Sequence, residues 1–444
     1  MKKSLVVCTM LIAVIALHIP STMNGQGDLR AAGARLEQGR TAERSGDLES
    51  YYTHARAAWD MVTNHPILLY HAARAAARTK RNDESLDLLR RLTPLGAPRN
   101  PAADSGFLAL WTLPAFQERV KAMTDATAPL IRSDTAFMID APNLVVENIA
   151  YDPTDRVFYA GSMARRTILR VTRAGVSSPL LAQGIQLGQP LGMKVDSRSR
   201  VLWAAVIYPP DSSAGQLRTR SELLEIALPS GRIMRRLLPT DTARPHLLND
   251  IVLTPRGDLY VTDSEGGAIW VLERGSASLR EFLRLPGSVL YPNGIALSPD
   301  GRSLFLAHQT GVLSINLASR AVTPLTSPEN GPSLLGIDGL YTVRGNILGI
   351  ANSSSVEQIV YGTLARPTPT SVTCTTPLER RHPAYTIPTT GTVVGDTLFY
   401  VANSQLRRLD AKGSLRDPTV EARTVVLRLP LPRELSGAAC RPGT

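Results

Sequence analysis

One short phrase recurs six times along the C-terminal two-thirds of the 444-residue chain. Each copy has an apolar stretch, a turn rich in Pro, Asp or Gly, and a second apolar stretch. The clearest copy is Asn293-Gly294-Ile295-Ala296-Leu297-Ser298-Pro299-Asp300-Gly301. The other copies begin at Glu147, Leu191, Asn249, Asp338 and Thr390.

Repeats of 44 to 58 residues that carry three or four short strands are typical of propeller blades. Six copies therefore predict a mainly β fold, a six-bladed β-propeller over residues 133–432, followed by a C-terminal tail over 433–444. The segment from Asp134 to Ile139 precedes the first copy. We expect it to supply an outer strand to the last blade and so to close the ring.

The first position of each copy is the chemically informative one. Six copies arranged around one axis bring their first positions together, and four of them carry oxygen donors: Glu147, Asn249, Asn293 and Asp338. Carboxylate and amide oxygens suit a hard divalent cation, Ca²⁺ first, with Mg²⁺ or Mn²⁺ as alternatives. A second interpretation is that these side chains only stabilise the turns that begin the strands.

Residues 28–128 have helical periodicity and no strand alternation. Gly46-Asp47 recurs as Asn82-Asp83, and Asn64-His65-Pro66 recurs as Arg99-Asn100-Pro101. This period of about 35 residues resembles tetratricopeptide repeats, and Phe107 to Met123 is predicted as a capping helix. Such helices either dock onto the following domain or bind a protein partner, and both roles stay open.

The first 27 residues predict a signal peptide. Lys2 and Lys3 precede an apolar run from Leu5 to Ile19, and Gly25-Gln26-Gly27 offers a cleavage site. An uncleaved anchor is the alternative. The expected location is periplasmic or secreted, with no stable membrane insertion after cleavage. Cys8 would leave with the signal, so Cys374 and Cys440 would form a disulfide or remain two thiols.

The formal charge of +11 does not indicate a nucleic-acid partner. Only six of the 49 basic residues are Lys, and the basic residues are scattered among acids. A basic stripe with interleaved aromatic residues, as nucleic-acid binding requires, is absent from the sequence.

The repeats resemble the senescence-marker-protein/gluconolactonase family, and beyond it the paraoxonases and strictosidine-synthase-like propellers. The resemblance covers about 300 residues, and it is carried by Leu248-Asn249-Asp250-Ile251, by the phrase from Asn293, by Ile337-Asp338-Gly339-Leu340 and by Glu147 ahead of Ile149-Ala150. It implies a divalent cation, often calcium, held on the axis by Glu147, Asn249, Asn293 and Asp338. Three neighbours depart from the best-known relatives: Asn148, Leu247 and Gly339. We therefore expect neither sugar-lactone nor paraoxonase specificity, but a more apolar substrate.

The resulting hypothesis is an exported, metal-dependent hydrolase of small-molecule lactones or related esters. The cation would polarise the carbonyl, while Asp338 or Glu147 would activate a water as general base. The second strands end near the same mouth, at Asp263, His308, Asn352 and Asn403. The pKa of His308 would suit proton transfer, although a hydrogen-bonded blade-end histidine is the simpler role.

Two other functions remain open from the sequence. One is a non-enzymatic propeller that binds a ligand or a protein, with the helices as adaptor. The other is a lyase or synthase like strictosidine synthase, which would not need all four oxygen donors. No G-x-S-x-G motif occurs that would indicate a covalent serine mechanism.

Overall fold

The computed structural model describes residues 28–432, except 186, 211–217, 328–330, 354–355 and 367–368. The predicted signal peptide, the C-terminal tail and Cys440 lie outside the described residues. Cys374 is disulfide-bonded. Within the described part of the chain, no helix has the length and apolarity needed to cross a membrane.

Five α-helices form the N-terminal module: α1 (Leu29–Arg44), α2 (Leu48–Met61), α3 (Pro66–Arg78), α4 (Asn82–Leu92) and α5 (Pro114–Ala126). Asp28 and Asp47 cap α1 and α2 by accepting hydrogen bonds from backbone N–H groups of the first turn. Pro66 and Pro114 stand at the start of α3 and α5, where the missing N–H costs nothing. The tetratricopeptide resemblance of the module stays a prediction.

The predicted capping helix from Phe107 to Met123 is not one helix. A 3₁₀ helix covers Ser105–Leu110, and α5 begins only at Pro114. Proline lacks the N–H that a helix interior needs and disfavours helical backbone in the residue before it. Leu113 is accordingly extended, with φ −79° and ψ 126°.

One buried ion-pair network holds the helical module together. Arg74 contacts Glu43 and also Asp104, the latter at 3.0 Å, and Tyr70 donates a 2.6 Å hydrogen bond to Asp104. All three charged side chains are at most 17% exposed. The network links α1, α3 and the 3₁₀ segment, so a change in one partner affects all three elements.

The remaining chain folds into six four-stranded antiparallel sheets among the described residues. Five consist of consecutive strands: β2–β5 (Val146–Asp152, Val157–Ser162, Thr167–Val171, Ser177–Pro179), β6–β9 (Gln189–Asp196, Val201–Tyr208, Arg220–Ala227, Ile233–Leu237), β10–β13 (Leu248–Leu253, Leu259–Asp263, Ala268–Leu272, Arg280–Arg284), β14–β17 (Ile295–Leu297, Ser303–His308, Gly311–Asn316, Val322–Pro324) and β18–β21 (Ile337–Val343, Asn346–Ala351, Gln358–Leu364, Val372–Arg380). The predicted six-bladed propeller is confirmed.

The sixth blade closes the ring. It combines β22 (Gly391–Val394), β23 (Thr397–Val401) and β24 (Arg423–Pro430) with β1 (Asp134–Pro142) from the start of the domain. In β1, Thr135 pairs with Leu427 and Met138 with Val425. The expected outer strand from the N-terminal side is therefore confirmed. Apolar clusters fill the space between neighbouring blades, and the rings of Phe137, Phe158 and Phe399 meet where the last blade joins the first.

Candidate active site on the propeller axis

Each innermost strand carries an irregularity at the same end. In blade one, Val146 pairs with Ser162 and Ile149 with Ala160, so two residues face a single residue of the next strand. Two residues also face one at Leu191-Gly192 in blade two and at Asn249-Asp250 in blade three. In blade five, Asp338 has no partner residue in the pairing with the next strand. In blade four, Ala307 bonds to the backbone of both Asn293 and Gly294. Such a β-bulge redirects adjacent side chains, which gives the two bulge residues different surroundings.

Blade six has its bulge one residue earlier than the sequence alignment placed it. Thr389 N–H donates to Val401, and Val401 N–H donates to Thr390, the pattern that Asn293 and Gly294 make with Ala307. The first position of this blade is therefore Thr389, and the alignment on Thr390 was wrong by one residue. Neither threonine adds a carboxylate or an amide, so the four predicted donors keep their uneven distribution around the ring.

The first bulge residues of blades four and five contact each other, and Asn249 of blade three is held by a serine of its own blade. Asn293 donates a 2.8 Å hydrogen bond to Asp338 Oδ1, and Asn352 donates a 2.5 Å hydrogen bond to Asp338 Oδ2. Asn249 donates a 3.0 Å hydrogen bond to Ser264 Oγ. Each amide nitrogen is thus anchored, and the orientation of each amide oxygen is fixed by that anchor.

Two buried oxygen atoms of this group have no hydrogen-bond partner: Asn293 Oδ1 and Glu147 Oε2. Glu147 is only 5% exposed. An unsatisfied buried carboxylate oxygen is costly, so these two atoms mark a place where the protein alone leaves bonding capacity unused.

The second bulge residues join neighbouring blades. Asn148 donates to Thr390 Oγ1 at 2.6 Å and accepts from Met193 N–H at 3.2 Å, which links blades six, one and two. Asp250 accepts from Ile295 N–H of the next blade at 3.0 Å. A Cβ on Gly294 would lie 2.3 Å from the carbonyl oxygen of Asp338. This close approach explains the glycine that follows several first positions.

The site has an excess of negative charge. Burial, and then the charges of Asp338 and Asp250, raise the pKa of Glu147 well above its usual value. Burial raises the pKa of Asp338 and of Asp250 to about 6. Lys194 is the cation whose charge acts against this at Asp250. When ionised, these three carboxylates exceed the single ammonium of Lys194 by two charges, the amount that one divalent cation would balance.

The donor set fits a hard divalent cation. Glu147, Asn249, Asn293 and Asp338 offer oxygen atoms, which suit Ca²⁺, Mg²⁺ or Mn²⁺ better than Zn²⁺. Among the described residues, no group of three or more His, Cys, Asp or Glu side chains has the geometry to hold a metal. A cation here would therefore depend on the two amides together with the two carboxylates, and water or substrate would complete its shell.

The other residues expected at the mouth have different surroundings. His308 ends β15 and is 1% exposed; its Nδ1 lies 3.4 Å from Thr310 Oγ1, and its Nε2 has no partner. Burial lowers the pKa of His308 to about 4, so the ring is neutral at pH 7. Its catalytic role stays a prediction. Asp263 accepts hydrogen bonds from His246, Trp270 and two backbone N–H groups, which is a structural role.

The structure adds residues that the sequence reasoning did not select as site residues. Tyr291 is 42% exposed, and burial of its hydroxyl together with the charges of Asp338, Glu265 and Glu147 raises its pKa. Tyr341 exchanges hydrogen bonds with the backbone of Gly391, and its pKa is raised well above its usual value by burial, with smaller effects of the nearby carboxylates. Both hydroxyls therefore stay protonated at neutral pH and can donate hydrogen bonds.

Tyr291 occupies a special position in the repeat, two residues before the first bulge residue. The same position has left-handed backbone in four blades, at Val145 (φ 50°), Tyr291 (φ 53°), Gly336 (φ 62°) and Ile387 (φ 58°). Non-glycine residues rarely adopt this conformation, and it concentrates at functional sites. An alignment of these positions, and not only of the first positions, could have revealed Tyr291 from the sequence.

Leu191, the first bulge residue of blade two, has apolar surroundings. Leu191 lies in a buried cluster with Val145, Met163, Ile207 and Leu247. The connection between β23 and β24 packs on this cluster through Leu406, Leu409 and Leu415. The first bulge positions are therefore polar in blades three to five and apolar in blade two.

No protein-family model matches the chain, and no curated protein matches it. The fold is similar to a gluconolactonase from Xanthomonas campestris, with 14% identity, coverage of 69% of this chain and 98% of that one, and a TM-score of 0.45. It is also similar to the aldose sugar dehydrogenase of Streptomyces coelicolor, with 16% identity, coverage of 68% of this chain and 99% of that one, and a TM-score of 0.43. The Malassezia sympodialis allergen Mala s 1 has 14% identity, coverage of 65% of this chain and 95% of its own, and a TM-score of 0.49. At this level of identity we draw no conclusion about activity from the similarity.

Proposed function

We propose that this protein is an exported, divalent-metal-dependent hydrolase of lactones or related esters, with Ca²⁺ as the first candidate metal. The observation that carries the proposal is the group of buried carboxylates Glu147, Asp338 and Asp250, which when ionised exceed the Lys194 ammonium by two charges. Two of the oxygen atoms beside it, Glu147 Oε2 and Asn293 Oδ1, are buried without partners. Export is supported by the pattern of residues 1–27.

A cation held by Glu147, Asn249, Asn293 and Asp338 would supply Lewis acidity for an ester or lactone carbonyl. Glu147 is the better general base of the two carboxylates, because Asp338 already accepts two amide hydrogen bonds while Glu147 Oε2 accepts none.

The same residues can accept and return the proton that the reaction transfers. Water attacks the carbonyl carbon and gives its proton to Glu147; the bond to the leaving oxygen breaks, and that oxygen takes the proton back from Glu147. The hydroxyl of Tyr291 stays protonated and can donate a hydrogen bond to substrate at the mouth. Leu191, an apolar residue at the first position of blade two, favours a substrate with a hydrocarbon portion over a polyhydroxylated one.

Metal analysis of the purified protein, followed by a lactone and ester panel with and without chelator, tests this function. We expect bound divalent metal, activity that is lost in EDTA and restored by Ca²⁺, and inactive Glu147→Gln and Asp338→Asn variants. Absence of bound metal together with a melting curve that chelator does not change would disprove the metal site. Full activity in both variants would disprove the mechanism.

A further inference from the structure

A second candidate binding site lies between the helical module and blade five, away from the propeller axis. A cavity of about 220 Å³ is lined by Leu95 and Thr127 of the helical module and by Pro332, Gln358 and Arg380 of the propeller. Its walls are mainly apolar, with two further prolines, and the described residues of its lining include no acidic side chain. The volume suits a ligand of only a few heavy atoms, since cavities for drug-sized ligands are larger.

Arg380 is the charged residue of this cavity, and its Nε is buried without a hydrogen-bond partner. None of the ion pairs in the described part of the chain includes Arg380. Burial, and then the charge of Arg381, lower its pKa, although a guanidinium remains charged at any physiological pH. A partly buried cation without a counter-charge is destabilising, so an anion in the cavity would relieve a cost that the protein alone carries.

The neighbouring carboxylate cannot serve as this counter-charge. Glu379 is fully buried, and it accepts hydrogen bonds from the backbone N–H groups of Arg132 and Ser133 and from the hydroxyl of Tyr385. These bonds tie the interdomain linker to blade five. Successive residues of a strand point to opposite faces, so Glu379 faces the linker while Arg380 is available on the cavity side.

We infer that this cavity binds a small organic carboxylate, whose oxygens pair with Arg380 and whose hydrocarbon part contacts the proline-rich walls. One guanidinium and no lysine favour a singly charged group over phosphate. A planar carboxylate also matches the fork of N–H donors that arginine presents. Because the walls come from both the helical module and the propeller, the bound acid would stabilise their junction. This inference is independent of the axial site.

Calorimetric titration of the purified protein in EDTA tests the inference, with butyrate, butyramide and inorganic phosphate as probes. We expect saturable binding of butyrate and none of butyramide, which has the same shape without the charge. Arg380→Gln should weaken butyrate binding at least ~10-fold, the loss expected when a charged hydrogen-bond donor is removed. Arg381→Gln, an exposed neighbour of the same charge, is the matched control and should keep the affinity.

Several outcomes would overturn the inference. Equal binding of butyrate and butyramide would reduce the cavity to an apolar pocket, and tighter binding of phosphate would assign it to inorganic anions. Equal losses in both variants would show diffuse attraction and not a site at Arg380. If Arg380→Gln does not fold, the comparison of butyrate with butyramide on the unmodified protein still decides, and no binding of either would reject the site.

Discussion

The replacement of Asp338 by Asn separates the cost of its buried charge from its role as a ligand. The pKa of Asp338 rises from 3.8 to about 6 on folding. At about 1.4 kcal/mol per pH unit, ionised Asp338 costs the metal-free protein about 3 kcal/mol above pH 6. The sign follows from proton binding: between pH 3.8 and 6 the folded state holds a proton that the unfolded state has lost. This cost therefore decreases as the pH falls through 6, and it vanishes below 3.8.

Asn at this position has no charge to bury, so the advantage of the variant depends on pH. The variant also loses part of the hydrogen bonding to Asn293 and Asn352, a cost of about 1–3 kcal/mol that applies at both pH values. The difference between the two proteins should thus move in favour of the variant by about 2 kcal/mol from pH 4.5 to pH 7.5, since 1.5 pH units separate 4.5 from the pKa.

Urea denaturation in EDTA at pH 4.5 and pH 7.5 measures this difference, with the exposed Asp134→Asn as control. Saturating Ca²⁺ should then reverse the order at pH 7.5, because a ligand at about 100 times its Kd adds about 2.7 kcal/mol to the protein that binds it. A variant effect that is equal at both pH values would refute the cost assigned to Asp338. Equal stabilisation of both proteins by Ca²⁺ would refute its role as a ligand.

Three further changes test other parts of the structure. Gly294→Ala should lower Ca²⁺ affinity in calorimetry and reduce stability by more than about 1 kcal/mol, because the new Cβ would lie 2.3 Å from the backbone of Asp338; Gly287→Ala, with open space around it, should do neither. Arg74→Met should cost about 3–5 kcal/mol in urea denaturation, because buried Asp104 loses its counter-charge and Glu43 keeps only its pairing with Arg78. The pKa of His308 is lowered from 6.5 to about 4, so acid destabilises the native protein. His308→Leu should lose about 2.5 kcal/mol less stability between pH 7 and 4.5, and an unchanged pH profile would contradict the buried, neutral ring.

The repeat alone was enough to predict the blades and the closure of the ring. Strand period and repeat length are local properties, and the apolar stretches coincide with the observed strands in all six copies. The prediction failed where local pattern was ambiguous. Thr389 and Thr390 are the same residue type, and only the hydrogen bonds of Val401 identify the one that occupies the first position. In the helical module, the apolar period runs on through Pro114, although the proline marks the start of a separate helix.

Residues that belong to the site through tertiary approach were harder to predict. Lys194 comes two residues after the bulge of blade two, whereas its charge acts on Asp250 of the next blade. Tyr291 precedes its blade, and left-handed backbone places it near carboxylates of blades one and five. No local spacing rule connects these positions, because the contacts depend on how far each blade is rotated about the axis.

The bulge explains why a site of this kind can differ so much between the two sides of one ring. The second bulge residue is constrained by the neighbouring strand: Gly294 has no room for a Cβ, and Asp250 and Asn148 satisfy backbone or threonine groups of other blades. The first residue varies more in type: across the six blades it is Glu, Leu, Asn, Asn, Asp and Thr, although Asn293 and Thr389 also bond to neighbouring blades. Where the first residue makes no such bond, as at Leu191, its substitution can alter charge and substrate preference without removing a hydrogen bond between blades. Leu191, which packs among apolar neighbours, is the clearest example of such a substitution in this chain.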